Sequence, residues 1–330
     1  MESTTRRRSA AVALAAAVAL VPGCRDRSSQ ESASADATAA PADEAPVASA
    51  TGAGAAPGGA SPGGLSRYAL TGAPSWQATL PEPLREVSGL AVGAGGRLFA
   101  HGDEKATIFE IEAREGRIVK SFELAPNGGS PDLGKKGKGG GVTGDFEDLA
   151  IAGDRFFLVT SNGVLLEFAE GEDGAAVPFT AHATGLGDRC EVEGLAHDPG
   201  AGVLLLLCKQ FHAKPARDRV AVYAWSIAQR RLEPAARVVV PYSSLARVTG
   251  AREFNGSALT LAPDGRTLVV IAGPQRVFAM IGVDGKVRGG PLDRATHPQP
   301  EGVAFLPDGT MLISSEGAGG DGTIAGYLPR

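Results

Sequence analysis

The sequence predicts an all-β fold, and three observations carry this prediction. Gly and Pro together supply 68 of the 330 residues, a composition that disfavours long helices and favours short strands joined by tight turns. A short pattern recurs five times between residues 87 and 304, and each copy is followed by a turn signal and a β-prone run. Since 43% of the residues are hydrophobic, the chain can also fill a large core.

The recurring pattern is Ser or Glu, usually a small residue, then an aliphatic residue and a second small residue. Its copies, each with one preceding residue, are VSGLA (87–91), FEDLA (146–150), VEGLA (192–196), GSALT (256–260) and PEGVA (300–304). The turn signals that follow them lie at 93–96, 153–154, 198–202, 263–265 and 307–309. With the strands that fit after each turn, the repeat is predicted to be a four-stranded antiparallel unit. Such units arranged round an axis are the blades of a β-propeller.

The spacing of the repeats predicts five blades. The Ser or Glu positions are separated by 59, 46, 64 and 44 residues, whereas a blade takes about 40–50. Residues 301–330 suffice for three strands of the last blade, and 67–80 can supply its fourth strand. This closure puts both ends of the domain in one blade and removes exposed sheet edges. Six blades is the alternative count.

The longer repeats contain more residues than four strands need. We expect most of the excess in loops at 126–145 and 210–219. We also expect the fourth strands of the second and third blades at 175–181 and 235–240.

The first 64 residues are predicted to lie outside the fold. Three arginines at 6–8 and twelve apolar residues at 10–21 have the form of a signal peptide, and the apolar run is too short to cross a bilayer. The sequence VPGC at 21–24 resembles the lipobox of bacterial lipoproteins, in which Cys24 becomes the lipidated first residue after cleavage. An ordinary secretory signal is the alternative.

The segment after Cys24 has the composition of a flexible tether. Ala, Gly, Pro and Ser fill 29 of the 40 positions in 25–64, and such a segment cannot bury enough apolar surface to fold. We therefore expect a lipoprotein signal peptide at 1–23, a disordered tether at 24–64 and a propeller at 65–330. This organisation predicts a lipid-anchored protein of the bacterial cell envelope, facing away from the cytoplasm, in the outer membrane where one is present.

Two cysteines remain in the predicted propeller, and an extracytoplasmic location permits a disulfide between them. Cys190 and Cys208 flank an apparent hairpin whose turn is 198–202, so a cross-strand bond is one interpretation. Two small buried core residues are the other interpretation. No second cysteine pair is present to suggest a thiolate metal site.

The repeated acidic position is the strongest candidate for a functional site. Glu147, Glu193 and Glu301 occupy equivalent positions in three blades, and Ser88 and Ser257 take the same place in the other two. Equivalent positions on inner strands form a ring round the propeller channel. Carboxylates held close together repel unless they are protonated or bridged by a cation. Oxygen ligands of this kind suit Ca²⁺, which takes 6–8 of them.

Two further interpretations of this ring bear on the metal hypothesis. Asn255, two residues before Ser257, could add an amide oxygen to a calcium site. Alternatively, the Glu side chains accept backbone N–H bonds from neighbouring blades and hold no metal. A second ring could line the channel mouth at the ends of the second strands, although solvated loop charge is the more ordinary interpretation of its residues, which are His101, Asp103, Glu104, Asn162, Lys209 and Glu316.

Five segments resemble the SdiA-regulated (YjiK-like) propeller family, which is distantly similar to NHL-repeat propellers. They are LPEPLREVSGLAV, GDFEDLAI, CEVEGLAHDPGAGVLLLL, SALTLAPDGRTLVV and HPQPEGVAFLPDGTMLISSE. The resemblance covers roughly 80–330 and implies a five-bladed extracytoplasmic propeller with a bound Ca²⁺, which would fall on Glu147, Glu193 and Glu301. It implies no biochemical activity.

Three classes of function are compatible with these observations. The first is a tethered, monomeric recognition propeller that binds a ligand or partner protein without established catalysis. The second is a calcium-dependent esterase, phosphoesterase or lactonase-like hydrolase with a metal in the central channel. The third is a structural propeller whose Glu ring joins the blades. A net charge of −5 argues against a nucleic-acid partner.

Overall fold

The computed structural model describes residues 68–125, 132–134, 141–213 and 218–330. The expected signal peptide, tether and lipidation site at Cys24 lie outside these residues. The described strands form five sheets, and each sheet is built outward from one inner strand. The predicted five-bladed β-propeller is therefore confirmed, and six blades are excluded for this part of the chain.

The elements follow one another in the order that the repeats predict. A closing strand, β1 (Trp76–Thr79), is followed by blade one, which contains β2 (Val87–Val92), β3 (Leu98–Gly102), β4 (Thr107–Glu112) and β5 (Arg117–Leu124). Blade two contains β6 (Phe146–Ala152), β7 (Arg155–Thr160), β8 (Val164–Ala169) and, after the short strand β9 (Ala176–Val177), β10 (Phe179–Ala183). Single 3-10 turns occupy Glu82–Leu84 and Ala94–Gly96.

The second half of the chain adds three blades and one helix. Blade three contains β11 (Cys190–Asp198), β12 (Val203–Phe211), β13 (Arg219–Ser226), β14 (Arg231–Leu232) and β15 (Val238–Pro241), and is followed by α1 (Tyr242–Thr249). Blade four contains β16 (Ala258–Leu261), β17 (Thr267–Ala272), β18 (Val277–Gly282) and β19 (Val287–Pro291). Blade five contains β20 (Pro300–Phe305), β21 (Met311–Ser315) and β22 (Thr323–Tyr327).

The inner strands β2, β6, β11, β16 and β20 pack against one another in a closed ring. The core lies between successive blades, where the facing surfaces of adjacent sheets bury their apolar side chains. Between blades one and two, for example, the rings of Phe99 and Phe122 both meet Phe156 edge-on. This packing places equivalent positions of the five inner strands round one central channel.

The N-terminal strand closes the ring, as the sequence predicts. Strand β1 pairs antiparallel with β22, from Trp76 opposite Gly326 to Thr79 opposite Thr323. The ring of Trp76 lies where a Cβ on Gly326 would project, so this pairing requires a glycine there. Blade five is therefore a four-stranded sheet made from both ends of the described chain.

Two predicted fourth strands differ from the observed ones, and a proline lies at each departure. The segment 175–181 is predicted as one strand, but β9 pairs in parallel with β5 of blade one, and only β10 belongs to blade two. Pro178 lies between the two pieces and has no N–H to continue a ladder. The segment 235–240 is predicted as one strand, but β15 begins only at Val238. The short strand β14, which lies before the predicted segment, pairs separately with β13, and Pro234 lies in the stretch between β14 and β15.

A helix that the sequence analysis did not predict precedes blade four. The third repeat is longer than four strands need, and the sequence predicts its additional residues in a loop at 210–219. Some of them instead form α1. Pro241 precedes its first turn, and Gly250 ends it with a φ of 77° that favours glycine. Leu245 and Thr249 are buried one turn apart, so the helix packs on blade four. Within the described ranges no helix is long and apolar enough to cross a membrane.

Cys190 and Cys208 form a disulfide with their Cα atoms 5.6 Å apart. They are not directly opposite, because Cys208 pairs with Val192 and Cys190 with Phe211. A register shift after Glu191 brings the two cysteines together. Both are fully buried in the apolar layer between blades two and three, so the bond joins the first two strands of blade three.

We expect loss of this disulfide to destabilise the propeller. The two cysteines are 18 positions apart, and closing a loop of that size contributes about 3 kcal/mol to the free energy of unfolding. Urea denaturation of the Cys190→Ala/Cys208→Ala variant measures the loss. Reductant should lower the midpoint of the native chain and leave that of the variant unchanged; equal midpoints for the native chain with and without reductant would contradict the prediction.

Candidate functional site

The repeated Ser or Glu lies at a β-bulge near the start of the inner strands. The ladder between the first two strands of a blade skips Ser88, Glu147, Glu193 and Glu301 in turn. In blade four, Ser257 directly precedes β16 and its N–H donates to the carbonyl of Ile271 at 2.8 Å. A bulge leaves its extra residue out of the pairing and re-aims its side chain. The bulges therefore present these side chains at one end of the channel.

Lys209 lies among the carboxylates at this end. Its Nζ is 2.7 Å from Oε1 of Glu193 and 3.8 Å from Oε1 of Glu191. Burial raises the pKa of Glu147, Glu301 and Glu316, and the Lys209 ammonium opposes part of this rise, so its charge acts on carboxylates from several blades. We refer to the group of residues that surrounds this ammonium as the mouth cluster, which consists of Glu147, Glu193, Glu301, Glu316 and Lys209.

Burial outweighs the ammonium in setting the acidities of the cluster. Loss of hydration raises the pKa of Glu301 to about 7, and the same cause raises the pKa of Glu316 to about 7. Burial and the adjacent Glu193 carboxylate raise the pKa of Glu147 above its usual range. One ammonium cannot neutralise four carboxylates, so the described cluster retains protons near neutral pH.

Ser257 is the hydroxyl residue of the ring that the structure joins to this cluster. Its Oγ donates to the carbonyl of Pro300 at 2.9 Å and accepts from the N–H of Gly273 at 3.1 Å. Burial raises the pKa of Glu301, and the nearby Ser257 hydroxyl opposes part of this rise. Ser88 is buried in β2, and the N–H of Asn255 donates to Oε1 of Gln275 at 3.0 Å. Among the described residues, no hydrogen bond links the side chain of Ser88 or Asn255 to the carboxylates.

The predicted calcium ligand Glu193 is hydrogen-bonded to a cation of the protein itself, the ammonium of Lys209. Calcium needs 6–8 oxygen ligands around one point. Here the ammonium of Lys209 is hydrogen-bonded to Glu193 Oε1 and acts on Glu147 and Glu301 as well. No group of three or more His, Cys, Asp or Glu residues in the described ranges could hold a metal ion. Calcium binding by Glu147, Glu193 and Glu301 stays a prediction.

The second expected ring is only partly present. Lys209 and Glu316 belong to the mouth cluster, and Asp103 lies near enough to raise the pKa of Glu316. His101, in contrast, is fully buried and does not line the mouth. Asn162 is directed into a loop of blade two, where it accepts from Thr160 Oγ1 at 2.6 Å and donates to the Asp132 carbonyl at 3.0 Å.

Sequence analysis missed the role of Asp148, which lies at the narrow waist of the channel. Its Oδ1 accepts from the N–H of Leu149 at 2.8 Å, and its Oδ2 accepts from the N–H of Leu195 in blade three at 2.7 Å. Burial raises the pKa of Asp148 well above its usual range, and backbone N–H groups, including that of Leu259 in blade four, oppose part of this rise. The available signal was an acid at a pattern position where the other four copies have Gly or Ala.

The two ends of the channel differ in chemistry. Beyond the waist, the ends of all five inner strands line a cavity of about 240 Å³ with mainly apolar side chains. At the opposite end, a cavity of about 580 Å³ beside the mouth cluster is lined mainly by charged residues of blade one and the segment before it. We name it the acidic cavity; its charged residues are Glu82, Glu86, Asp103, Glu104, Glu123, Arg85 and Lys105.

The acidic cavity and the mouth cluster are electrostatically continuous. Glu86 and Asp103 line the cavity, and both raise the pKa of Glu316 in the cluster. The main-chain carbonyl of Asp103 also accepts from the N–H of Phe146, which ties this wall to blade two beside Glu147. The charged groups of the cavity and those of the channel mouth therefore interact electrostatically.

Fold and site together define a five-bladed β-propeller with a carboxylate-rich channel mouth. No family profile and no curated protein sequence matches the chain. It is similar in structure to glutaminyl cyclase from Myxococcus xanthus, with 13% identity and a TM-score of 0.51 over 77% of this chain and 94% of that one. A PQQ-bound aldose sugar dehydrogenase from Streptomyces coelicolor matches with 12% identity and a TM-score of 0.46, over 76% and 96% of the two chains. At these identities the likeness concerns the fold alone, and the resemblance to the SdiA-regulated family stays a prediction.

We expect Asp148 to stabilise the fold by satisfying buried N–H groups. Replacing Asp148 by Ala leaves the N–H groups of Leu149 and Leu195 without their acceptor and should lower the free energy of unfolding by about 2–4 kcal/mol. The control is Asp284→Ala, since Asp284 bonds only within its own exposed turn, and it should change little. Urea denaturation compares the variants, and equal midpoints for the two would show that the waist bonds contribute nothing.

Proposed function

We propose that this protein is a lipid-anchored recognition propeller of the bacterial cell envelope that binds a small cationic ligand in the acidic cavity. The observation that carries the proposal is the cavity itself, at about 580 Å³ and next to the mouth cluster. Small-molecule sites have volumes of roughly 300–1,000 Å³. The resemblance to the SdiA-regulated family supports an extracytoplasmic propeller of this kind.

The charge of the cavity supports a cationic ligand. Among the described residues that line it, five are acidic and two are basic. A concave surface with low-dielectric walls and one prevailing sign of charge concentrates counter-ions of the opposite sign. An amine-bearing small molecule or a basic peptide side chain is therefore the favoured chemistry of the ligand.

The disulfide supports the extracytoplasmic part of the proposal. Disulfides persist in oxidising compartments and are rare in the cytosol. The bond between Cys190 and Cys208 is fully buried in the apolar layer between two blades, as expected of a structural disulfide. A lipid on Cys24 would then hold the propeller at a membrane surface.

A hydrolase is the alternative function, and one observation favours it. Burial raises the pKa of Glu301 and of Glu316 to about 7, the range in which a carboxyl group acts as a general acid or base. A carboxyl group with such a pKa would suit an esterase, phosphoesterase or lactonase-like reaction at the channel mouth. Turnover of ester, phosphoester or lactone substrates that is lost in Glu301→Gln would favour this alternative over recognition alone.

We expect Cys24 to decide where the protein is found. In the producing cell, the native chain should label with radioactive palmitate and sediment with membranes, whereas Cys24→Ser should lose both properties. The Ser28→Ala variant, four residues after the expected lipidation site, is the control and should still label. Unchanged labelling of Cys24→Ser would overturn the lipid anchor without affecting the ligand proposal.

We expect amines to bind the acidic cavity and matched anions not to bind. Isothermal titration of the full mature chain with spermidine, glucosamine and a Lys-rich peptide, against citrate and glucuronate, measures this preference. Removing two carboxylates in Glu86→Gln/Glu123→Gln should weaken amine binding about tenfold through lost Coulomb attraction. The exposed pair Glu112→Gln/Glu172→Gln carries the same change of charge outside the cavity and should bind as the native chain does.

Two results would contradict this ligand assignment. One is the absence of binding for every amine at millimolar concentration. The other is an equal loss of affinity in both double variants, which would mean that net charge, and not the cavity, attracts the amine.

A further inference from the structure

A further cavity of about 400 Å³ is a groove between blades three and four, which we name the interblade groove. Of the eighteen described residues that line it, ten are Leu, Ile or Val. We propose that the interblade groove binds a free fatty acid, with the acyl chain in the groove and the carboxylate at Arg266. This site is independent of the cationic ligand proposed for the acidic cavity.

The core between the two blades forms the floor of the groove. Leu205 and Val222 of blade three and Leu268 of blade four line it, and all three are buried members of the apolar cluster between these blades. A ligand chain in the groove would therefore continue the packing of this core. The volume of the groove lies in the range of small-molecule sites, which is roughly 300–1,000 Å³.

The sides of the groove expose apolar surface to solvent. Val239 on β15 is 49% exposed, and Val283, in the turn after β18, is 68% exposed. Only four large hydrophobic side chains are exposed among the described residues, and these two line the same groove. An exposed apolar patch rimmed by polar groups is typical of a binding surface. The exposed surface of the two valines therefore indicates an apolar ligand.

The edge of blade three favours an acyl chain over an extended peptide. Residues 238–241 of β15 line the groove and pair on their other side with β13. Pro241 has no N–H, and the N–H of Tyr242 donates to the Asp218 carbonyl at 2.9 Å. Two consecutive residues therefore offer no donor to an added strand. A straight acyl chain needs no donor and gains from apolar contact alone.

Arg266 supplies a positive charge at the rim of the groove. The other charged lining residues are paired, since Arg237 lies 3.8 Å from Asp198 and also binds Glu233 at 2.7 Å. Arg266 is exposed and forms no salt bridge within the described ranges. Two residues earlier, the Asp264 carboxylate accepts backbone N–H bonds of its own turn. The guanidinium of Arg266 can therefore bind a ligand carboxylate through two N–H groups.

The experiment is isothermal titration of the full mature chain carrying Cys24→Ser, so that neither an attached lipid nor detergent competes for the groove. Octanoate, decanoate and dodecanoate are added below their micellar concentrations. Each further methylene that enters the groove should tighten binding roughly fourfold until the groove is filled. Decanoate should also bind more tightly than decanol, because only the carboxylate forms an ion pair with Arg266.

Matched variants of this chain locate the binding site. Val239→Gln/Val283→Gln should weaken decanoate binding about tenfold, because less apolar surface is buried. Val119→Gln changes a valine that is 51% exposed on β5, outside the groove, and should bind as the parent chain does. Arg266→Gln should remove the preference for decanoate over decanol. Arg231→Gln, which changes an exposed arginine on β14, should keep that preference.

Several results would overturn the proposal. One is the absence of binding for all three fatty acids at millimolar concentration, and another is an affinity that does not rise with chain length. Equal affinities of the two valine variants, both folded by urea denaturation, would mean that decanoate binds elsewhere. A preference for decanoate that persists in Arg266→Gln would show that Arg266 does not hold the carboxylate. Binding of a valine-rich peptide in place of decanoate would assign the groove to a protein partner instead.

Discussion

The narrow waist of the channel is the constraint on which the rest of the structure depends. Five inner strands approach one axis so closely that the residue after the repeated Ser or Glu is small in four of the blades. A Cβ on Gly194 would lie 2.8 Å from the Cβ of Leu259 in the next blade, and a Cβ on Gly89 would lie 2.9 Å from the Cα of Asp148. Because the waist holds the blades at this distance, the bulge residues just before it converge at one end of the channel.

Asp148 occupies the waist position at which the other four blades have Gly or Ala. It performs a role that the sequence analysis gave to other residues. Acceptance of backbone N–H bonds from neighbouring blades was an interpretation of the repeated Glu residues. The structure gives that role to Asp148, whereas the side chain of Glu193 accepts a hydrogen bond from Lys209. Next to Asp148, His101 donates Nδ1–H to the Gly102 carbonyl at 2.8 Å, and its buried Nε2 has no hydrogen-bond partner among the described residues. Burial lowers the pKa of His101 to about 4, so the ring is neutral beside the carboxyl group.

The repeat pattern was enough to predict the blade count, the inner strands and the closing strand, because these follow from spacing and local turn chemistry. It was not enough for the outer strands, where Pro178 and Pro234 interrupt ladders whose pairing depends on neighbouring strands. In the site, the pattern identified Glu147, Glu193 and Glu301 as equivalent. It could not show that Lys209 lies among them, because that contact depends on how the register of β12 shifts past the bulge. Residue type is repeated in the sequence, but register is set by the assembled sheet.

The bulges have an evolutionary consequence. In four blades the residue that faces the channel mouth is the one that the ladder skips, so its backbone carries no strand pairing. Exchange between Ser and Glu at such a position leaves the hydrogen bonds of the blade intact. Substitutions during evolution could therefore change the side chains at the channel mouth one blade at a time, while selection on stability acts separately on the waist of the channel. The same scaffold could in this way acquire a different partner without first losing its fold.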